Sequence, residues 1–335
     1  MGDHSLVYKL NSERRRQIAG NKFKTEEAEV VVVGSCNTDL ISYAPRLPKP
    51  GETIHGTKFS IGFGGKGANQ CVMAARLEAK TAMVSKVGDD AFGNETIKNF
   101  KENGVITEFV SISKGASTGV APIAVNEQGQ NAIIIVPGAN MLITPTEVED
   151  ALSKLPSVKV LLCQLEINMD ATLAALKYGK SKGILTILNP APAVEKLDPE
   201  YYKNCDIFCP NETETEILTG LPVTNIDEAK TAAIKLIELG CTKVIITMGG
   251  NGAVLITSDN SNPVHITTQK VTPVDTTGAG DAFVGSLAYF LAYHSSLPIP
   301  EMIKRACHIA TISVGNQGTQ KSFPWKGDLP EELLK

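Results

Sequence analysis

The segment Asp275-Thr276-Thr277-Gly278-Ala279-Gly280-Asp281-Ala-Phe sets small residues directly ahead of a helical pattern. The first N–H groups of a helix lack internal partners and carry the positive end of the helix dipole. Gly278, Ala279 and Gly280 would let an anionic group such as a phosphate approach those N–H groups closely. Asp281 falls in the first turn, where a carboxylate is favoured. It is therefore expected to be ionised near neutral pH and able to accept a proton from an attacking hydroxyl. A lone Asp at such a place is more often only a helix cap. The Gly-Ala-Gly run and Asp275, six residues earlier, tip the reading toward phosphate chemistry.

A second glycine-rich turn is Gly62-Phe-Gly64-Gly65-Lys66-Gly67-Ala68-Asn69-Gln70. It contains a G-x-G-x-x-G spacing, which on its own is a weak signal. A dinucleotide fold should also place an acidic residue about 20 residues further on, and Asp89 and Asp90 follow Val87-Gly88 at the wrong distance. No Lys-Ser/Thr follows the last Gly, so the turn is not a Walker A loop. What stays open is a turn whose backbone N–H groups, Lys66 and Asn69 face a polyhydroxylated ligand.

Further polar clusters follow apolar runs: Gly34-Ser-Cys-Asn37-Thr38-Asp39, Gln164-Leu-Glu166 and Pro210-Asn211-Glu-Thr-Glu214. Thr247-Met248-Gly249-Gly250-Asn251-Gly252 adds a turn suited to close contact with a nucleotide. Each cluster alone reads as a cap or turn. Together they suit a sugar, whose hydroxyls need both donors and acceptors, bound beyond the carboxyl ends of strands.

The elements that must position these groups are short β-branched runs alternating with helical patterns. Val30–Val33, Thr81–Val87, Val158–Cys163, Ile184–Leu188, Asp206–Cys209 and Val244–Met248 read as strands. Asn94–Asn103, Ala171–Lys182, Glu212–Leu218, Asp227–Leu239, Gly280–Tyr293 and Glu301–Asn316 read as helices. Near-continuous apolar strands between helices indicate an α/β fold with a mainly parallel sheet covered on both faces. Thr53–Ile61 and Ala121–Val136 alternate polar and apolar residues, so they read as antiparallel strands with one wet and one dry face. Such strands are marginal alone and must cover something, a lid or a dimer surface. Residues 1–28 read as a polar leader, disordered or unrelated to the fold, and residues 29–335 as one α/β domain with lid strands from about 42–62 and 118–137.

The chain has 335 residues and a net charge of −4, which does not fit a nucleic-acid binder. The seven cysteines include no C-x-x-C pair, so buried reduced thiols in a cytoplasmic protein are expected rather than disulfides or a zinc site. A nuclear location stays open. No apolar stretch reaches the roughly 20 residues of a membrane span.

The two glycine-rich signatures, Gly64-Gly-Lys-Gly-Ala-Asn69 and Asp275-Thr-Thr-Gly-Ala-Gly-Asp281, resemble those of the ribokinase (carbohydrate kinase) family. The resemblance runs from about Val30 to Leu329 and takes in Asn189-Pro-Ala-Pro192. It implies a three-layer fold with a small β lid, and ATP-dependent phosphorylation of D-ribose at O5. The sugar would be held by Asn37, Thr38, Asp39, the Gly65, Lys66, Gly67, Ala68, Asn69 turn and Glu166. Asp281 would be the general base, and the N–H groups of Ala279, Gly280 and Asp281, entered through Gly278, would form an anion hole.

The same resemblance places Asn211 at the phosphates and Thr247–Gly252 and Cys307 along the nucleotide. Glu214 would order Mg2+ through water. An activating K+ would take Asp275, Thr277, Ser313, Asn316, Gly318 and Ser322, several through backbone carbonyls. Independently of the resemblance, the free edges of the alternating strands invite pairing with a second copy, a homodimer through the lid. Cys307 departs from the family, which usually has Asn or His near the adenine, and thiols are poor hydrogen-bond partners. A sister kinase for fructose, deoxyribose or a nucleoside, a nicotinamide-dependent dehydrogenase and a non-catalytic sugar sensor remain as alternatives.

Overall fold

The computed structural model describes residues 23–335; most of the leader, residues 1–22, lies outside them. The first strand, β1 (Val30–Val33), is four valines with no exposed surface. Side chains alternate across a strand. Val30 and Val32 accordingly join one core cluster and Val31 and Val33 the other. The sheet is thus the middle of three layers. One face packs the helices Lys66–Arg76, Ala279–Tyr293 and Ile299–Ser313. The other packs Pro145–Ser153, Met169–Lys182 and Ile226–Glu238.

In chain order the remaining strands are β2 (Asn37–Tyr43), β3 (Lys58–Gly64), β4 (Thr81–Gly88), β5 (Val110–Ser113), β6 (Gly119–Val125) and β7 (Asn131–Ile133). Then come β8 (Val160–Cys163), β9 (Leu185–Leu188), β10 (Ile207–Phe208), β11 (Lys243–Thr247), β12 (Ala253–Thr257) and β13 (Asn260–Ile266). The nine-stranded central sheet runs β13-β12-β11-β10-β9-β8-β1-β4-β5. From β11 to β5 all pairs are parallel, so the carboxyl ends of β1, β8, β9, β10 and β11 open on one edge. The β11–β12 and β12–β13 pairs are antiparallel and close the sheet at one side.

The second sheet, β3-β2-β6-β7, carries the two alternating segments of the sequence. It is mixed rather than wholly antiparallel: β2 runs parallel to β6 and antiparallel to β3. Asn37-Thr-Asp39, expected as a loop beyond β1, opens strand β2. Residues 44–57 form no strand, and β3 begins at Lys58 rather than Thr53. Phe59, Ile61, Ile133 and Ile134 of this sheet and its continuation are at least half exposed.

All seven cysteines are free and buried. No helix among the described residues is long and apolar enough to cross a membrane.

Candidate active site

Two helices build the centre. The Ala279–Tyr293 helix starts after Gly278, whose φ of 79° turns the chain into it, and Asp281 lies in its first turn. The Lys66–Arg76 helix starts after Gly65, whose φ is 88°. A Cβ on Gly65 would sit 2.8 Å from the Asn37 N and 2.9 Å from the Ser35 carbonyl O, so only glycine lets this turn press against the β1–β2 crossing. The helices meet closely because Gly285 has no side chain. A Cβ there would be 2.5 Å from the Gln70 carbonyl O. This approach brings Asn69 and Gln70 against Asp281.

Asn69 Nδ2 donates to Asp281 Oδ2 at 2.9 Å, and Gln70 Nε2 donates to Asp281 Oδ1 at 2.9 Å. Asp281 is buried, at 8% exposure. Burial raises its pKa above the ordinary carboxylate value, and nearby Glu166 adds to the rise; Lys66 and the Asn69 and Gln70 hydrogen bonds oppose it. The sequence reading weighed only the helix terminus, which favours the anion. The surrounding desolvation wins in sign and makes Asp281 a stronger base than a surface carboxylate. For Lys66, burial pulls the pKa down, but Asp281, Glu166 and Glu214 outweigh it and hold the ammonium above its ordinary value. Lys66 is thus a cation among three carboxylates.

Glu166 accepts from Ser35 Oγ at 2.5 Å and from the Lys66 backbone N at 3.0 Å. Burial, with Glu166 nearby, pushes Asp39 up to about 6. Asn37 and Asp39 project from one face of β2, while Thr38 projects from the other. The buried Thr38 hydroxyl has no hydrogen-bond partner among the described residues. Asn140, absent from the sequence reading, donates through Nδ2 to Asn37 Oδ1 at 2.9 Å and fixes that amide. Ala68 is buried beside this turn, its N bonded to the Ser35 O at 2.9 Å.

At the β10 end, Asn211 caps the Glu212–Thr219 helix: its Oδ1 accepts from the Glu214 N at 2.8 Å, and Glu214 Oε2 accepts from the Asn211 N at 2.9 Å. Burial raises Glu214, against the Asn211 N–H and Lys66, with Asp281 and Glu212 adding to the rise. Thr247 pairs with Asn211 across the sheet edge. The Gly249–Asn251 turn that follows stays exposed at its glycines. Gly280 is also exposed, and a Cβ on it would meet nothing within 4 Å, so open space lies over the helix start. Cys307 is buried in the Ile299–Ser313 helix, and burial pushes its thiol up to about 12.

Asp275 accepts from the Thr277 N and from the Gly318 N, each at 2.9 Å. The Val274 and Asp275 N–H groups both donate to the Val314 O. The 313–322 loop is therefore tied to the segment that leads into the Ala279–Tyr293 helix. Burial alone would raise Asp275, but these hydrogen bonds hold it below the ordinary value. Ser313 Oγ donates to the Ala310 O and Ser322 Oγ to the Thr319 O, which leaves the hydroxyl oxygens as acceptors. Asn316 is exposed on the same loop.

Asp90, the acid weighed for a dinucleotide ribose, is committed elsewhere. It accepts from the Gly93 N at 2.8 Å, the Thr118 N at 2.7 Å and Thr118 Oγ1 at 2.6 Å. Asp90 is therefore not free to meet a dinucleotide ribose.

With this geometry in place, the pfkB family carbohydrate kinase model matches residues 27–326. The chain belongs to that family. It is 53% identical to the ribokinase of Mus musculus over 94% of this chain and 98% of that protein. It is 43% identical to a deoxyribokinase of Salmonella typhi, over 88% of this chain and 95% of that one. The solved structure of Arabidopsis thaliana ribokinase complexed with ribose and ATP superimposes with a TM-score of 0.83 at 30% identity, covering 92% of this chain and 99% of that chain. This carbohydrate kinase thus shares its fold with ribokinase, and its polar strand-end groups lie along one edge of that fold. Gln70, Gln320 and Asn140 are the site residues that sequence reasoning missed. Of these only Gln70, next to Asn69 in the glycine-rich turn, left a local signal.

Proposed function

We propose that this kinase transfers the γ-phosphoryl of ATP to the 5-hydroxyl of D-ribose, giving ribose 5-phosphate and ADP. The observation that carries the reading is the buried Asp281 carboxylate, held by Asn69 and Gln70 at the start of a helix with open space over Gly280. Asp281 takes the proton from the sugar hydroxyl as the phosphoryl departs ATP. The N–H groups of Ala279, Gly280 and Asp281 balance charge on the transferring group. Asn37, Asp39, Asn69 and Glu166 hold the sugar hydroxyls, with Lys66 offsetting their charge. Thr247–Gly252 and Cys307 lie along the nucleotide.

Magnesium would accompany ATP, and Glu214 would order it through water. When bound, it neutralises phosphate charge. The Asp275, Thr277, Ser313, Asn316, Gly318 and Ser322 set supplies only oxygen donors, the chemistry a hard monovalent cation such as potassium needs. Sites behind the anion hole would then tune the helix start. The β2, β3, β6 and β7 sheet is read as a lid over the sugar that excludes water. Buried reduced cysteines fit a cytoplasmic setting.

The identity to a deoxyribokinase makes 2-deoxyribose the second sugar to weigh. Coupled ADP release on D-ribose, 2-deoxyribose, fructose and a nucleoside, with and without potassium, tests the assignment. The highest kcat/KM is expected on D-ribose, with stimulation by potassium. A higher kcat/KM on any other member of the panel contradicts the substrate.

A homodimer through the lid is the accompanying proposal, supported by Phe59, Ile61, Ile133 and Ile134 standing exposed on one small sheet. Sedimentation should give a dimer, and Ile134→Lys should shift it to monomer. A wild-type chain that stays monomeric at high concentration refutes this pairing.

A further inference from the structure

The buried amides around Asp281 form a continuous directional chain. On one side, Gln164 Nε2 donates to Gln70 Oε1 at 2.6 Å, and Gln70 Nε2 donates to both Asn189 Oδ1 and Asp281 Oδ1 at 2.9 Å. On the other side, Asn99 Nδ2 donates to Gln320 Oε1 at 2.9 Å. Gln320 Nε2 in turn donates to Asn69 Oδ1 at 3.0 Å, and Asn69 Nδ2 to Asp281 Oδ2 at 2.9 Å. An amide that accepts through its oxygen must present its NH2 to the next group. Gln320, oriented by Asn99, therefore fixes which end of Asn69 points at the carboxylate, and Gln164 Nε2 occupies the Gln70 oxygen, although the Gln164 Oε1 itself has no partner among the described residues. Asn69, Gln70, Gln164 and Gln320 are all buried, so no water substitutes for a lost member. Gln320 also lies in the 313–322 loop, and its backbone O accepts from the buried Arg76 guanidinium.

We propose that Gln70 and Gln320 are positioning residues for the transfer step: Gln70 directly, and Gln320 by holding the Asn69 amide so that both Asp281 oxygens receive an N–H. The inference rests on the reading of Asp281 as the base. The charged groups facing Asp281 are Lys66 from its own glycine-rich turn, Glu166 from beyond β8 and Glu214 from the helix after β10. None of them is altered by changing the two glutamines. Gln70→Glu replaces a donor with a carboxylate oxygen facing Asp281 Oδ1. Gln320→Glu keeps the acceptor for Asn99 but withdraws the donor from Asn69, whose amide then turns its oxygen toward Asp281.

The test is the pH dependence of kcat at saturating sugar and MgATP, normalised to the folded fraction from thermal melts. Both variants should move the acid limb upward, Gln70→Glu by about one pH unit or more and Gln320→Glu by less. Turnover near the foot of the limb then falls about tenfold for Gln70→Glu, while KM for the sugar changes less than kcat. Limbs that superimpose on wild type, or activity lost equally at every pH, overturn the proposal. Asp281→Asn measured alongside separates the two readings. If it keeps turnover, the base assignment fails. If it loses turnover while the glutamate variants keep the wild-type limb, only the positioning role fails.

Discussion

Asp281→Asn is expected to lower kcat about 10²–10⁴-fold while ribose affinity changes far less. The size follows from what the carboxylate does in phosphoryl transfer. A loose transition state depends more on placement and charge balance than on a strong base. The anion hole and the bound sugar would therefore keep part of the acceleration. The substitution also has a structural consequence. Asn69 and Gln70 both donate to Asp281, so an amide at that position sets one NH2 against another donor. A melting temperature measured beside kcat separates this cost from the loss of the base. Turnover near that of wild type would remove Asp281 from the mechanism.

Arg76→Met should give the largest loss of stability among single changes near the site. Arg76 is buried at 6% exposure. Its Nε donates to Asn103 Oδ1 at 2.9 Å, and its Nη1 donates to the Phe323 O at 2.8 Å and to the Gln320 O. The guanidinium also stacks 4.8 Å from the Trp325 ring centroid. Met fills much of the volume but leaves these buried acceptors without their donor. Unpaired buried polar groups cost about 1–3 kcal/mol each, so a loss of about 3–5 kcal/mol is expected. That corresponds to a fall in melting temperature of roughly 5–8 °C for a domain of this size. Because the same residues hold the 313–322 loop, kcat should fall too. A variant that melts within a degree or two of wild type would show that the loop is anchored by other contacts.

The two glycine-rich helix starts of this candidate site were legible in the sequence because their geometry is local. The Gly278–Asp281 run and the Gly64–Asn69 turn each carry their own backbone logic, a helix start preceded by small residues. The parallel sheet was equally legible, since four consecutive valines suit only a strand buried on both faces. The small second sheet was legible in part. Period-two alternation exposed β3 and β6, but β2 begins with Asn37 and, two residues on, Asp39, poor strand formers that read as a turn. Its pairing with β6 joins residues about 80 positions apart in the chain. The β12–β13 hairpin was not legible because its turn, Ser258-Asp259, lacks the glycine that marks a two-residue hairpin.

The rest was hidden by distance and burial. Gln320 meets Asn69 across 251 residues, and Gln70 meets Asp281 across 211. No spacing rule links such pairs. Burial likewise reversed the expected direction of the Asp281 pKa, because desolvation depends on two packed helices and not on a motif. Asn211 shows the opposite outcome. The plain expectation of a helix cap is what its side-chain oxygen does, alongside the phosphate role the proposal gives it.

The most direct measurement for the central claim is NMR of the product formed from D-ribose and MgATP by the wild-type enzyme. Phosphorus coupled to the C5 position, with one ADP released for each sugar consumed, is the result that the proposed transfer predicts. Phosphate on another hydroxyl, or ADP formed without a sugar phosphate, would contradict it.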